Sequence, residues 1–192
     1  MNICVYGAAS TELDRSYIEA TEELGRKLAK RGHGLVFGAG ANGLMGAAAR
    51  GVFENDGYIV GVVPTFFNVD GILFENCNEL IRTETMRQRK QIMEDRADAF
   101  IMAPGGIGTF EEFFEILTLK QLARHKKAIA IYNINGYYDA MEDMIDNAVK
   151  HNFVREKCKE LYKFFTDADE MLDYLENYEG EYADAEEMKA IK

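Results

Sequence analysis

Two kinds of hydrophobic pattern alternate along the chain: short continuous apolar runs, and longer stretches in which apolar residues recur every three or four positions. The short runs predict buried strands, and the longer stretches predict amphipathic helices. Residues 65–84, a segment with several phenylalanines, fit neither pattern and are expected to be irregular. Strands are predicted at 2–6, 34–37, 58–63, 99–103, 128–132 and 161–165, and helices at 11–31, 44–55, 85–97, 110–122, 137–151 and 169–178.

The alternation of strands and helices predicts an α/β fold. Parallel strands need crossover connections, so we expect a doubly wound parallel sheet with helices on both faces. A single domain is predicted over residues 1–178, and residues 179–192 are expected to form a polar, frayed tail. Such folds bind ligands beyond the carboxyl ends of their strands, so a site is expected in the loops that follow strands.

The charge balance narrows the range of partners. Among 192 residues, 22 Lys and Arg are outnumbered by 33 Asp and Glu, which gives a formal net charge of −11. A surface this negative repels phosphate backbones, so general nucleic-acid binding is excluded and a small anion would need a local basic pocket. No run reaches the roughly 20 apolar residues of a membrane span. We expect a soluble, cytoplasmic protein with no membrane partner.

Neither a metal site nor a disulfide framework is indicated. Cys4, Cys77 and Cys158 lie far apart and form no CxxC pair, and the three histidines show no ligand spacing. The chemistry is therefore expected to need no metal and no organic cofactor.

The first glycine-rich loop, residues 38–43, reads GAGANG and is a literal GxGxxG. The motif alone is weak evidence for a dinucleotide, and here it follows the second strand, with no acidic residue at the end of the next. Three interpretations remain open: a tight turn that packs a helix closely on the sheet, a dinucleotide site, or contact of Gly40 and Gly43 with the phosphate or sugar of a mononucleotide.

A second glycine-rich loop, PGGIGT at residues 104–109, lies between a predicted strand and a predicted helix. Gly105, Gly106 and Gly108 let backbone N–H groups approach an anion, and the helix N-terminus adds free N–H groups and a positive dipole end. Thr109 can donate its hydroxyl. No lysine follows, so this is not a Walker A loop. The loop favours phosphate binding over a plain turn with an N-cap.

Glu111 and Glu112 lie in the first turn of the helix that is predicted to follow this loop. Acidic residues in a first helical turn complement the dipole, which is the simpler interpretation of both. A carboxylate beside an anion site repels the ligand, however. One of the two is therefore expected to act at a neutral part of the ligand, either a ribose hydroxyl or an attacking water.

Helix 85–97 is predicted to begin with a capping box, because Thr85 and Gln88 have the required spacing. Met86, Arg89 and Lys90 share one helical face with a further methionine. Two cations among methionines favour a pocket in which Arg89, and with it Lys90, meets an anionic ligand. A basic surface turn is the alternative. The basic run at 124–127 is expected to be a solvated connection.

These motifs resemble a known family. PGGIGTFEE at 104–112 matches the pattern PGGxGTxxE, and MRQRK at 86–90 matches MxxRK. With LVFGAGANGLMG at 35–46 and AIAIYNINGYY at 128–138, they resemble the LOG family of cytokinin riboside 5′-monophosphate phosphoribohydrolases, formerly labelled lysine decarboxylases. The likeness extends from Val5 to about Val154.

The resemblance implies a Rossmann-like fold, a homodimer, and cleavage of the N-glycosidic bond of a nucleoside 5′-monophosphate to free base and ribose 5-phosphate. It implies that Arg89 and Glu112 form the catalytic pair and that Met86 lies near the base. It implies that Lys90, Glu111 and Thr118 line the substrate site. The 5′-phosphate would be held by Gly105, Gly106, Gly108 and Thr109.

The chain departs from the family pattern in the first loop, which reads Gly-Ala-Ala-Ser at residues 7–10 where the family usually has Gly-Ser-Ser. Ser10 keeps a hydroxyl that can contact the ligand. The aromatic segment 65–80 is expected to shape the base pocket, so both cytokinin monophosphates and AMP remain candidate substrates. Two other functions stay open: a non-catalytic nucleotide carrier of the same fold, and a dinucleotide-linked oxidoreductase that uses loop 38–43.

Overall fold

The computed structural model describes residues 1–67, 71–184 and 188. Its strands are β1 (Asn2–Tyr6), β2 (Gly34–Phe37), β3 (Ile59–Pro64), β4 (Glu79–Thr83), β5 (Ala99–Met102), β6 (Ala128–Tyr132) and β7 (Lys163–Phe165). Its helices are α1 (Arg15–Lys30), α2 (Gly43–Phe53), α3 (Met86–Arg96), α4 (Ile107–Gln121), α5 (Asp139–Lys150) and α6 (Ala168–Glu176). Short 3-10 turns cover Ile134–Gly136 and Glu156–Leu161.

The seven strands form one sheet in the order β4-β3-β2-β1-β5-β6-β7, and every neighbouring pair is parallel. Successive strand residues face opposite sides of the sheet. Ile3 and Val5 pack with α1, α2 and α6, whereas Cys4 and Tyr6 pack with α3, α4 and α5. The prediction of a doubly wound parallel sheet with helices on both faces is confirmed.

The order of the strands places a crevice at the carboxyl end of β1. This strand pairs with β2 on one side and with β5 on the other, so the connections leave the sheet in opposite directions from it. The crevice at such a switch point is the usual ligand site of an open α/β sheet. Both glycine-rich loops open toward it, because one follows β2 and the other follows β5.

Three details differ from the sequence prediction. Residues 79–83, expected to be irregular, form the edge strand β4, while residues 68–70 of that segment lie outside the described residues. The helix expected at Phe110 begins at Ile107, which brings Gly108 and Thr109 into its first turn. The helix expected at Tyr137 begins at Asp139, after a 3-10 turn.

Two expectations about solvated segments are also wrong in part. His125 is buried, and its Nε2 lies 2.8 Å from the Ile116 carbonyl oxygen. Met188, in the stretch expected to be a frayed tail, is buried among residues packed on α4 and α5. Gln121 donates a hydrogen bond to the Met188 carbonyl at 3.1 Å. Residues 185–187 and 189–192 lie outside the described residues.

Candidate active site

A cavity of about 600 Å³ opens at the carboxyl ends of β1, β2, β3 and β5. It is bounded by the loop at residues 7–10, by the glycine-rich loops 38–43 and 104–109, by the start of α3 and by the first turns of α4. Eight of the residues singled out in the sequence lie in its wall: Ser10, Gly40, Met86, Arg89, Gly106, Gly108, Thr109 and Glu112. Four chain segments far apart in sequence therefore meet at one place.

The N-terminus of α4 is open toward the cavity. Gly106 is the N-cap and has no side chain to cap the helix. The first helical hydrogen bond runs from Phe110 N–H to the Gly106 carbonyl at 3.0 Å, so the N–H groups of residues 107–109 precede the hydrogen-bonded ladder. Such groups, together with the helix dipole, form a ready anion site.

Gly106 and Gly108 keep this helix end accessible. A Cβ on either residue would meet nothing within 4 Å, and neither residue has a positive φ. Protein packing and backbone conformation therefore make no demand for glycine at these two positions. The space in front of them is open to a ligand.

Arg89 and Glu112 form a buried ion pair in the cavity wall. Arg89 Nη1 lies 2.7 Å from Glu112 Oε1, and their side chains are 8% and 11% exposed. Arg89 Nε also donates to the Val62 carbonyl at 3.2 Å. A Cβ on Gly38 would lie 1.9 Å from Arg89 Nη2, so the absent side chain at Gly38 makes room for the guanidinium.

The position of Glu112 gives its carboxyl an unusual environment. Burial raises its pKa above the usual range, while the charge and hydrogen bond of Arg89 lower it in part. Glu112 is four residues beyond Gly108, so both lie on the same face of α4. The carboxylate therefore stands one helical turn from the open helix end.

Loop 38–43 has a different role from loop 104–109. The N–H groups of Leu44 and Met45 at the start of α2 both point to the Ala8 carbonyl, at 2.8 and 3.4 Å. Gly43 has a φ of +58°, and a Cβ there would lie 2.4 Å from the Ala8 oxygen. The protein itself thus occupies this helix end, which favours the tight-turn interpretation and disfavours a dinucleotide pyrophosphate.

Five of the residues singled out in the sequence lie outside the cavity wall. Lys90 pairs with Glu111 and with Glu115, the latter at 2.8 Å. These contacts raise the pKa of Lys90 although burial opposes the rise. Thr118 is exposed further along α4. The remaining two are Gly43, described above, and Gly105, whose carbonyl accepts a hydrogen bond from Tyr137.

One side of the cavity is apolar. Met45, Val63, Phe67, Ile72 and Leu73 line it together with Met86. Phe67 is the part of this wall that the aromatic segment 65–80 contributes as a ring, whereas Phe74 is buried in the core beside Phe37. Sequence reasoning did not single out Met45 or Asn42, which also lines the cavity. Asn42 lies within loop 38–43 and Met45 lies two residues after it, and this position beside the glycines was the available signal.

Two kinds of feature are absent from the residues that the structure describes. No helix in that part of the chain is long and apolar enough to cross a membrane. Over the same residues, no group of three or more His, Cys, Asp or Glu side chains could hold a metal ion.

Comparison with known proteins identifies the family. The model of a family described as "Possible lysine decarboxylase" matches residues 45–175. The cytokinin riboside 5′-monophosphate phosphoribohydrolase LOG2 of Arabidopsis thaliana is 36% identical over 182 residues, which is 95% of this chain and 85% of that protein. The enzyme LOG of Oryza sativa subsp. japonica is 37% identical over 180 residues, which is 94% of this chain and 74% of that protein.

Solved structures share the fold. The molybdenum cofactor carrier protein of Chlamydomonas reinhardtii superposes with a TM-score of 0.68 at 19% sequence identity. The match covers 91% of this chain and 95% of the carrier. At that identity the likeness concerns the fold alone, because one fold serves many functions.

Proposed function

The chain belongs to the LOG family of cytokinin riboside 5′-monophosphate phosphoribohydrolases, and we propose that it hydrolyses the N-glycosidic bond of a nucleoside 5′-monophosphate. The products are the free base and ribose 5-phosphate. One arrangement carries the proposal: the uncapped end of α4 and the buried Arg89–Glu112 pair face the same cavity, one helical turn apart.

In this proposal the phosphate binds at the start of α4. The free N–H groups of residues 107–109 donate to the phosphate oxygens, and Thr109 adds its hydroxyl. Gly106 and Gly108 leave the space that the phosphate needs. This interaction holds the substrate at a point that does not react, and its binding energy orients the reacting bond.

The Arg89–Glu112 pair acts at the sugar. Cleavage of an N-glycosidic bond builds positive charge on the ribose, as it does in glycoside hydrolysis. The Glu112 carboxylate stabilises that charge and accepts a proton from the attacking water. The water oxygen bonds to the anomeric carbon, and the base departs with the electron pair of the broken bond and takes up a proton.

Arg89 is a positioning and charge-balancing group in this scheme. Its contacts with Val62 and Gly38 fix the guanidinium, and the guanidinium fixes Glu112. Burial raises the Glu112 pKa and Arg89 lowers it in part, so Arg89 favours the ionised carboxylate that this scheme uses. Reaction through an ionised Glu112 is lost as the pH falls through that raised pKa.

The base lies against the apolar wall formed by Phe67, Ile72, Leu73 and their neighbours. An apolar wall suits both adenine and an adenine with a hydrophobic substituent, so AMP and cytokinin riboside monophosphates are both proposed substrates. We further propose that the protein works as a homodimer in the cytoplasm, with no nucleic-acid partner, as the family resemblance and the acidic charge suggest. Lys90, Glu111 and Thr118 stay proposed contacts of the substrate site, and Ser10, Gly40 and Gly43 proposed contacts of the sugar or phosphate.

The test measures base and ribose 5-phosphate released from AMP, from isopentenyladenosine monophosphate, and from the two matching nucleosides. We expect both monophosphates to be cleaved and the nucleosides to react far more slowly. Glu112→Gln and Arg89→Ala should each lower kcat/KM by about 100-fold or more, which is the usual contribution of a positioned acid–base group.

Glu79→Gln is the matched control, because Glu79 also pairs with an arginine, Arg96 at 2.6 Å, and lies outside the cavity wall. Wild-type rates in both Glu112→Gln and Arg89→Ala would contradict the assigned roles. Saturable AMP binding without release of base would instead indicate a carrier, and tight NAD(H) binding would indicate an oxidoreductase.

A further inference from the structure

Two consecutive tyrosines, Tyr137 and Tyr138, contact the glycine-rich loop 104–109 from outside the cavity. The Tyr137 hydroxyl donates to the Gly105 carbonyl at 2.7 Å, and the Tyr138 hydroxyl donates to the Ala103 carbonyl at 2.7 Å. Burial raises the pKa of Tyr138, and a hydrogen bond from the Gly105 backbone opposes that rise. The peptide groups on both sides of Gly105 are therefore tied to tyrosine hydroxyls.

The carbonyl bound by Tyr137 belongs to the peptide unit that joins Gly105 to Gly106. A trans peptide is planar, and its C=O and N–H groups point in opposite directions. No cis peptide bond occurs among the described residues. When Tyr137 fixes the carbonyl, it therefore also fixes the direction of the Gly106 N–H, at the residue that lines the cavity and caps α4.

The orientation of this peptide unit needs an external contact to hold it in place. It has glycine on both sides, and glycine adopts many backbone conformations at little cost. Rotation of the unit by half a turn would exchange the directions of its carbonyl oxygen and its N–H group. A hydrogen bond to the carbonyl also polarises the peptide and strengthens its N–H as a donor.

The tyrosines themselves are held by a turn after β6. Asn133 Oδ1 accepts a hydrogen bond from Tyr138 N–H at 2.7 Å, and Asn133 Nδ2 donates to Asp139 Oδ1 at 2.7 Å. The two tyrosine rings contact each other edge to face, with centroids 4.9 Å apart. The ring of Tyr137 also packs edge to face on Tyr17.

We propose that Tyr137 is a positioning residue for phosphate recognition, because it locks the Gly105–Gly106 peptide so that the Gly106 N–H faces the phosphate. The proposal rests on the proposed function, in which a 5′-phosphate binds at the start of α4. Tyr138 has a different part: its buried hydroxyl satisfies the carbonyl at the end of β5 and so supports the fold of the same loop.

The experiment compares Tyr137→Phe, Tyr138→Phe and Tyr58→Phe with the wild type. Tyr58 is a matched control, since its hydroxyl also makes one hydrogen bond of 2.7 Å, to Glu79, and it precedes β3 at the opposite end of the sheet. Each variant is assayed for equilibrium binding of AMP, adenosine and ribose 5-phosphate, for kcat and KM with AMP, and for Tm.

We expect Tyr137→Phe to weaken the binding of AMP and ribose 5-phosphate by about three- to tenfold, the range of one hydrogen bond, and to raise KM in proportion. Its affinity for adenosine should match that of Tyr58→Phe, and its Tm should fall less than that of Tyr138→Phe, because the hydrogen bond of Tyr137 is only partly buried. Tyr138→Phe should lower Tm, because it leaves a buried carbonyl unpaired.

Unchanged AMP binding in Tyr137→Phe, or an equal loss for AMP and adenosine, would overturn the role of Tyr137. The proposed function fails in a different way: the wild-type protein releases no base from AMP, or binds AMP no more tightly than adenosine. The two failures are therefore distinguishable in one set of measurements.

Discussion

The three glycines of loop 104–109 meet two different demands. A Cβ on Gly105 would lie 2.1 Å from Thr109 Oγ1, so this residue is glycine because Thr109 packs against it. Gly106 and Gly108 have open space in front of them and no positive φ. They are best explained by what binds there, and this difference allows stability and binding to be separated by substitution.

Gly108→Ala should therefore stabilise the free protein while it weakens binding. Gly108 lies in the first turn of α4, and alanine in place of a helical glycine adds about 0.5–1 kcal/mol to the free energy of unfolding. The added methyl would project into the proposed phosphate site and should lower the affinity for ribose 5-phosphate at least tenfold. Urea unfolding and titration calorimetry measure the two effects.

Gly105→Ala serves as the contrast, because it should lower the free energy of unfolding through its clash with Thr109. If Gly108→Ala binds ribose 5-phosphate as tightly as the wild type, the phosphate does not lie against this glycine.

At the same scale, the sequence identified the residue types of the site but not all their orientations. The glycine-rich loop and Arg89 were recognisable because glycines after a strand and a cation among methionines are unusual. Glu111 and Glu112 could not be told apart by periodicity, and packing places only Glu112 in the cavity wall. Lys90 turns toward Glu111 and Glu115 instead, since those carboxylates lie beside it.

At the scale of elements, α4 connects the site to the C-terminal part of the chain. Lys120 lies near the end of α4 and is 1% exposed. Its Nζ donates to the Leu161 carbonyl and to the Tyr178 hydroxyl, both at 2.8 Å. Burial lowers its pKa to about 8. The helix that carries Glu112 is thus anchored by a lysine with no carboxylate partner among these contacts.

Lys120 should make the free energy of unfolding increase with pH in the alkaline range. Its pKa is lower in the folded state than in the unfolded state, so the unfolded chain binds more protons between about pH 8 and 10.4, and stability rises with pH there. The difference in unfolding free energy, wild type minus Lys120→Met, should increase by about 2–3 kcal/mol from pH 7 to pH 10. Urea unfolding at several pH values measures it.

Lys30→Met, at an exposed position on α1, provides the control and should show a nearly constant difference from the wild type. A constant difference for Lys120→Met as well would mean that burial does not depress the pKa of Lys120.

The sequence analysis missed strand β4, and the alternating exposure of its residues explains why no strand was predicted there. It is an edge strand with buried or half-buried residues alternating with exposed ones, and Leu80 is 38% exposed. Five of the other six strands have the apolar runs typical of a sheet covered on both faces, and the short edge strand β7 ends in two phenylalanines. In β4, Glu79 and Arg82 interrupt the run, and only its pairing with β3 shows that it is a strand.

At the scale of the whole molecule, the net negative charge of the chain and the local anion site affect the binding of different ligands. The net charge of −11 is spread over the chain, whereas the proposed anion site consists of backbone N–H groups and the Thr109 hydroxyl. A long polyanion meets the whole surface, and its binding depends on many phosphate contacts. A single phosphate group meets only the cavity.

A labelled 20-base-pair DNA duplex should therefore not bind at 0.15 M salt, nor slow the hydrolysis of AMP. Inorganic phosphate should compete with AMP, because it fits the start of α4. Fluorescence anisotropy and inhibition kinetics measure these two outcomes. Micromolar binding of the duplex would show that the charge of the surface does not govern access to the site.

The central position of β1 also has a consequence for how the protein folds. β1 must pair with β5, and a hydrogen bond of 2.7 Å joins Asn2 N–H to Asp98 across 96 residues of chain. Contacts so distant in sequence cost loop-closure entropy before they give stability, which makes folding slow. The cavity needs the loops after both strands, so a nucleotide can bind only after this pairing and stabilises the completed fold by mass action. AMP should then protect the chain from proteolysis only when the sheet is complete. A chain that has not yet formed the β1–β5 pair should be digested at the same rate with and without AMP.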